Sequence, residues 1–340
     1  MRATLTAVAV FAAGVGACGG DDAGGDGAPI DAAGDGATCD PAAPRPQPPE
    51  VIVGPGSGAQ ALEERVVAAI DAASTSIDVH MYTFTVDRIA DRLIAADRRG
   101  APVRVILDGA QVGAASTRSR LEAGGVEVRL ASTTFPNAHA KYLVLDAGIA
   151  FILSGNFTVS GFDDQRNYAV IDRDPDDVAD LGVIFAADWA GQAVAIGCTR
   201  LVVTTGDARS RVLGFIAAAM TTLDAELFYI SDSAVRGAII QAHTRGVAVR
   251  VLLADPVDMS ENATTADTLK GAGVPVRVLA TPTVHAKMLV ADGVALIGSH
   301  NMSSTSLRDN REIGVFVREG TAAAPATAQF ATDWAAARAW

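Results

Sequence analysis

Two ten-residue stretches, "NAHAKYLVLD" from Asn137 to Asp146 and "TVHAKMLVAD" from Thr283 to Asp292, share a histidine, any residue, a lysine, four residues and an aspartate. Imidazole serves as nucleophile or as general acid and base near neutral pH, and an ammonium beside it supplies positive charge for an anionic group. In a strand, residues two apart face one side, so His139 shares a face with Lys141 and His285 with Lys287. Such a pair is costly in an apolar core and suits a site that receives an anion. Asp146 and Asp292 lie seven residues beyond their histidines, at the following turn. They are expected to support the fold as turn caps or ion-pair partners rather than to react.

Each copy leads to a second polar group, "LSGNFT" with Ser154 and Asn156, and "GSHNMS" with Ser299 and Asn301. Hydroxyls, amides and exposed backbone N–H groups are donors suited to phosphate oxygens. Further on, "DDQRNYAVI" aligns with "RDNREIGVF" and sets Asn167 opposite Glu312. A carboxylate or amide there can hold one ring nitrogen of a histidine and leave the other free. A lone motif of this kind arises by chance. Two in register, with serine 15 residues after His139 and 14 after His285, do not. Two departures set the copies apart: Leu153 precedes the first serine where Gly298 precedes the second, and Asn167 replaces Glu312. His80 and His300 lie where they could face the same cleft, although a satisfied structural role is commoner for such histidines, and His243 belongs on a helix surface.

The elements that must carry these groups are themselves repeated. "RGAPVRVILD" from Arg99 matches "RGVAVRVLLA" from Arg245, and "FAADW" (Phe185 to Trp189) matches "FATDW" (Phe330 to Trp334). Within the first copy, "LEERVVAAIDAA" has helical periodicity and "SIDVHMYTF" reads as a strand. "VDRIADRLIAADRRG" reads as a helix closed by Gly100, and "PVRVILD" as the next strand. A short helix near 118–123 and the strand "VEVRL" come next. A hairpin of "KYLVL" and "AFILS" then turns at Asp146-Ala147-Gly148. This alternation predicts an α/β protein of two similar lobes, each a mixed sheet flanked by helices, with boundaries at 51–195 and 196–340.

The N-terminus differs in kind. "MRATLTAVAVFAAGVGACGG" has an early cation, a short apolar run and small residues before Cys18, the layout of a signal peptide over 1–18. Val15-Gly16-Ala17-Cys18 looks like a lipobox, which makes Cys18 the expected lipid anchor and the protein an exported, membrane-anchored lipoprotein facing periplasm or exterior. Residues 19–50, rich in Gly, Ala, Asp and Pro, are expected to be a disordered tether. Cys39 and Cys198 are then left as a disulfide or as two free thiols, and no grouping has the spacing of a zinc site. The chain carries a formal net charge of −12, of which −5 falls in residues 1–50. That balance disfavours non-specific grip on nucleic acid, which normally needs a basic surface.

With both motifs, both serine–asparagine segments and the repeat in view, the chain resembles the phospholipase D superfamily over residues 51–340. The resemblance implies a bilobal α/β fold with pseudo-twofold symmetry inside a monomer and one site at the lobe interface. It also implies cofactor-free and metal-independent cleavage of a phosphodiester. His139 is then the nucleophile and His285 the acid/base, with the reverse assignment as the alternative, and Lys141, Lys287, Asn156 and Asn301 hold the phosphate with Ser154 and Ser299 in support. The expected partners are a phospholipid or other phosphodiester and a membrane. The favoured reading is hydrolysis of phospholipid head groups. The alternatives are an endonuclease, a cardiolipin synthase-like phosphatidyltransferase, and a non-catalytic phosphate-binding protein.

Overall fold

The computed structural model describes residues 41–194 and 196–340. The first half runs β1 (Glu50–Gly54), a 3-10 turn (Gly58–Gln60), α1 (Leu62–Ala72), β2 (Ile77–Met81), α2 (Asp87–Arg98), β3 (Val103–Leu107) and α3 (Ala114–Gly124). It continues through β4 (Glu127–Leu130), β5 (Lys141–Leu145), β6 (Ile149–Leu153), α4 (Val159–Asp163), β7 (Gln165–Asp172) and α5 (Pro175–Ala190). The second half begins with β8 (Leu201–Thr204), α6 (Ala208–Ala218), β9 (Thr222–Leu227), α7 (Ser233–Thr244), β10 (Ala248–Ala254), α8 (Glu261–Gly271) and β11 (Val276–Leu279). It ends with β12 (Thr283–Val284), β13 (Lys287–Ala291), β14 (Val294–Gly298), α9 (Ser304–Arg308), β15 (Glu312–Val317), α10 (Ala324–Ala336) and β16 (Arg338–Ala339).

The strands form two mixed sheets, ordered β1-β7-β6-β5-β2-β3-β4 and β16-β11-β10-β9-β13-β14-β15-β8. Both faces of the central strands are covered, so they read as unbroken apolar runs. In β5, Tyr142 and Val144 point into the core between the sheets, while Leu143 and Leu145 point to the core under α1 and α2. In β13 the division repeats, with Met288 and Val290 inward and Leu289 and Ala291 outward. Helices α5 and α10 join the middle layer through residues such as Phe185 and Phe330. The predicted α/β class, mixed sheets and duplicated halves are all present.

One strand breaks the division into lobes. β12 pairs in parallel with β7, Thr283 opposite Gln165 and Val284 opposite Arg166, so a piece of the second half belongs to the first sheet. Its counterpart is looser: the Arg311 N–H donates to the Asn137 carbonyl at 3.0 Å. The segments that precede the two motif histidines are thus exchanged between the halves. The histidines accordingly lie just before β5 and β13 rather than within them, which corrects the sequence expectation of a continuous strand from histidine through lysine.

The aspartates of the motifs serve the fold. Asp146 and Asp292 adopt positive φ (53° and 49°) at the two hairpin turns. Asp146 accepts the N–H groups of Ser74, Thr75 and Ser76 at 2.7–3.1 Å, and Asp292 those of Met220, Thr221 and Thr222. Each turn is thereby bound to the loop that enters β2 or β9. Burial is the largest single influence on Asp146 and opposes its ionisation, but the three N–H groups and the Thr75 hydroxyl together overcome it and hold the carboxyl at about 2.

The expected 19–50 tether is corrected at its end. Residues 1–40, with the signal-like segment, Cys18 and Cys39, lie outside the described residues; Cys198 is disulfide-bonded. Residues 41–49, however, are docked. The Arg45 guanidinium is buried against Asp177 (2.5 Å) and Asp172 (3.1 Å) of the first half and Glu319 (2.9 Å) of the second, and it donates to the Phe316 carbonyl. Burial alone disfavours the charge, but three carboxylates hold it on. Arg45 therefore ties the two halves together from a segment that is otherwise mostly exposed.

Replacing Arg45 with alanine would remove the cation that Asp172 and Glu319 share, while Asp177 keeps Arg200. The expected loss is about 3–5 kcal/mol in chemical denaturation, larger than for removal of a surface ion pair. Asp146→Ala and Asp292→Ala should each cost roughly 1 kcal/mol at neutral pH. Because the folded carboxyl of Asp146 titrates at about 2 and an unperturbed one near 3.8, its contribution is complete above about pH 4 and lost as pH falls toward 2. The wild-type acid limb in that window should flatten in Asp146→Ala, and turnover should not change.

Candidate active site

The chain reversals around the exchanged segments bring both motifs to one place. His139 Nδ1 lies 2.7 Å from Oε2 of Glu312, a residue of the other half. His285 Nδ1 lies 3.1 Å from Oδ1 of Asn167, again across the interface. Each histidine is thus oriented by the residue that sequence alignment had set opposite its twin's. That an amide or carboxylate orients the ring is legible in sequence, whereas the crossing of the halves is not.

Glu312 is fully buried and ionised. Its Oε1 accepts from Ser306 Oγ (2.6 Å) and Asn310 Nδ2 (3.1 Å). Burial pushes this carboxyl up, but His139, His300 and Lys141 outweigh it and hold it at about 2. An anionic acceptor at Nδ1 means that His139 donates there, so Nε2 carries the free lone pair. Burial keeps His139 unprotonated, shifted down to about 4, with Glu312 opposing and Lys141 adding to the effect.

The second orienter is fixed as firmly by neutral groups. Asn167 Nδ2 donates to the Gly161 carbonyl at 3.0 Å, which compels Oδ1 to face His285. The same oxygen accepts from Ser154 Oγ at 2.9 Å, and Ser154 Oγ in turn accepts the Tyr168 N–H at 2.9 Å. His285 therefore also donates from Nδ1. Its protonation is disfavoured by burial first and by Lys287 and Lys141 next.

The two lysines close the site. Lys141 Nζ donates to the His139 carbonyl (2.6 Å) and lies over the Tyr82 ring, 4.8 Å from its centroid. Lys287 Nζ donates to the His285 carbonyl (2.7 Å), contacts the Ser154 carbonyl at 3.4 Å and lies 5.4 Å from the centroid of Phe228. Tyr82 and Phe228 also pack on the rings of His139 and His285, with centroids 4.5 and 5.0 Å apart. Burial pulls Lys141 down to about 7, with Glu312 and Asp108 opposing, and lowers Lys287 further because Lys141 adds to the burial. Four buried nitrogen bases thus stand against Glu312 and, at Lys141, Asp108, an arrangement that an incoming anion would stabilise.

The serines require correction. Ser154 and Ser299, expected to support the phosphate, are fully buried and committed to their own halves. Ser154 joins Tyr168 to Asn167, and Ser299 accepts the Ile313 N–H at 3.1 Å. A hydroxyl two residues from the motif asparagine lies behind the strand end, not in front of it. Asn156 and Asn301 are half-buried, and their side-chain oxygens have no hydrogen-bond partner among the described residues. The Leu153/Gly298 departure is a matter of sheet packing, since a Cβ at Gly298 would lie 2.4 Å from the Gly314 Cα. His300 is buried, bonding Thr204 Oγ1 through Nε2 at 3.0 Å, and His80 is buried with Asp188 Oδ2 3.6 Å from its Nδ1.

Several contributors escaped sequence reading. Asp108 Oδ2 accepts the Ala138 N–H at 2.9 Å and so fixes the residue before His139. Tyr82 Oη donates to Asn137 Oδ1 (3.2 Å), and Asn137 Nδ2 donates to Asn310 Oδ1 (3.2 Å), linking the rim of one half to the Glu312 network of the other. The only signal for them was their position at strand ends. Two cavities of about 400 and 450 Å³ lie beside residues 194–199 and beside the β1–α1 turn. No motif histidine or lysine lines either one.

The profile of a family described as "Cardiolipin synthase, PLD-like domain" matches residues 66–189 and again 212–334. The chain is 32% identical over 130 residues to the mitochondrial cardiolipin hydrolase of Danio rerio, a match covering 37% of this chain and 57% of that protein. It therefore spans little more than half of that relative's length. Among solved structures, phosphatidylserine synthase of Haemophilus influenzae Rd KW20 superposes with a TM-score of 0.66 at 11% identity, covering 86% of this chain and 87% of the other. Polyphosphate kinase of Porphyromonas gingivalis gives 0.65 at 16% identity, covering 83% of this chain and 46% of the kinase. At those identities the likeness is one of fold. With both halves matched and their motif histidines meeting at one interface, the chain belongs to the phospholipase D-like family.

Proposed function

We propose that this protein cleaves the head-group phosphodiester of a phospholipid through a covalent phosphohistidine. The observation that carries the reading is the pair of histidines, each held at Nδ1 from the opposite half, beside two buried lysines. His139 presents Nε2 as the reactive nitrogen, and His285 Nε2 lies 3.2 Å from Lys287 Nζ, beside the group that would hold the phosphate. In the first step His139 Nε2 attacks phosphorus, the bond to the head-group oxygen breaks, and His285 gives that oxygen a proton from Nε2. In the second, His285 takes a proton from water, the water oxygen attacks phosphorus, and the P–N bond breaks to restore His139. Lys141 and Lys287 face the non-bridging oxygens throughout.

The assignment of roles follows from the unequal orienters. Phosphorylation at Nε2 leaves the ring of His139 cationic, and the ionised Glu312 at Nδ1 offsets that charge. His285 must gain and lose a proton within each turnover, and the neutral amide of Asn167 binds the ring in either state. Burial and the lysines disfavour a proton on His285 in the free site. A bound phosphodiester anion neutralises the lysines and shifts that balance upward.

Support for a lipid substrate comes from the acidic chain and from the relative named cardiolipin hydrolase. The signal-like segment and Cys18 fit an exported, anchored enzyme meeting its substrate at a membrane. Transfer of the phosphatidyl group to an alcohol is the second reading, favoured by the family description. It shares the intermediate and differs only in the oxygen that attacks in the second step.

The test is a panel of cardiolipin, phosphatidylcholine, phosphatidylglycerol and single- and double-stranded DNA in EDTA, with glycerol as competing acceptor. Head-group release with a phosphatidic acid product supports hydrolysis, phosphatidylglycerol formed from phosphatidylcholine and glycerol supports transfer, and DNA nicking alone overturns the lipid reading. His139→Ala and His285→Ala should each abolish turnover. An acid-labile, base-stable phosphoenzyme should form in the wild type and be absent from His139→Ala. Glu312→Gln should lower turnover about 10- to 100-fold with little change in KM.

A further inference from the structure

The repeated "FAADW" and "FATDW" segments contain two aspartates, Asp188 at the end of α5 and Asp333 near the end of α10, that the chemistry above leaves unused. Both side chains are nearly enclosed, 4% and 5% exposed, and both pair with an arginine of the opposite half. Asp188 Oδ1 accepts from Arg311 Nη2 at 2.8 Å. Asp333 accepts from Arg166 at both ends of the fork, Nε to Oδ2 at 2.6 Å and Nη2 to Oδ1 at 3.1 Å. Arg311 immediately precedes Glu312, and Arg166 immediately precedes Asn167.

These arginines are held at both backbone and side chain. The Arg311 N–H donates to the Asn137 carbonyl (3.0 Å), while Nη1 donates to the Thr204 carbonyl (2.8 Å). The Arg166 carbonyl accepts the His285 N–H (3.0 Å), while Nη1 donates to the Gly54 carbonyl (2.6 Å). A residue fixed in both ways cannot rotate about its backbone, so the Cα–Cβ direction of the next residue is fixed as well. That next residue is the one that must reach a histidine nitrogen across the interface.

We propose that Asp188 and Asp333 are positioning residues of the reaction, each anchoring, through an arginine of the other half, the group that orients the histidine of its own half. The route from Asp188 is Arg311, Glu312, His139, and from Asp333 it is Arg166, Asn167, His285. Each crosses the interface twice. Net stabilisation alone is a poor account of these pairs, because a buried ion pair often stabilises no better than apolar residues of equal volume. A geometric duty accounts for both their burial and their repetition, since a catalytic group displaced by about 1 Å can cost on the order of 10²-fold in rate. The inference rests on reading His139 and His285 as the reacting pair.

The two routes make a selective prediction that a general loosening of the interface would not. In the full ¹⁵N-labelled chain, long-range ¹H–¹⁵N spectra report the tautomer of each imidazole. Asp188→Asn should turn the single Nδ1–H form of His139 into a mixture and leave His285 unchanged, and Asp333→Asn should do the reverse. Each variant should lose about 10-fold in kcat with less than a twofold change in KM. Unchanged tautomers with a lowered Tm, or simultaneous changes at both histidines, would overturn the proposal. Should an asparagine variant fail to fold, Asp188→Glu and Asp333→Glu keep the charge and are judged by the same selectivity. The ring spectra require no substrate. A wild type with selectively held tautomers and no turnover of any phosphodiester would sink the proposed function alone.

Discussion

A histidine serves phosphoryl transfer only when one ring nitrogen is held and the other is free, and in this protein the holder always comes from the opposite half. Glu312 reaches His139 and Asn167 reaches His285 across the same interface. The rest of the architecture follows from that requirement. β12 must leave its own sheet to pair with β7, and the Asn137 segment must meet Arg311. The inner faces of β5, β6, β13 and β14 must be apolar enough to hold the halves in a single register. Neither half contains a complete site.

The electrostatics obey the same constraint. Two imidazoles and two ammonium groups are taken out of water beside Glu312, with Asp108 acting on Lys141, and burial lowers the proton affinity of all four. A pocket of this kind is costly when free and relieved by an anion, so binding and activation share one cause. The neighbours of the lysines are suited to the same end. Tyr82 and Phe228 offer ring faces to Lys141 and Lys287, covering the two side chains with apolar surface that attracts a cation.

Duplication supplied two equivalent half-sites, and small changes have made them unequal. Where the first half has Ser154, Asn167 and the Gly161 carbonyl in a chain of neutral hydrogen bonds, the second has Ser306 and Asn310 donating to an ionised Glu312. The departures that looked like defects of the first copy make the two orienters chemically unequal. Asn167 is the neutral orienter, and Leu153 pairs with Ala169 where Gly298 faces Gly314.

The sequence by itself determined the α/β class, the duplication and most element positions, because period-2 and period-3.6 apolar patterns and turn residues are local signals. It also determined the residue types of the site and the turn-binding role of Asp146 and Asp292, whose odd distance from the histidines excluded a shared face. Other features were decided only by tertiary structure, and the strand exchange and the Arg45 cluster join residues more than a hundred positions apart. The strand exchange places the orienters across the interface. The ladder of hydrogen bonds buries Ser154 and Ser299 behind the strand ends. Arg45 finds three carboxylates drawn from two halves, so a segment that is compositionally a tether becomes a clasp. Local pattern encodes which groups are present and which way a strand faces. Which half a histidine looks to is set by the packing of two sheets, and no single stretch of chain contains that information.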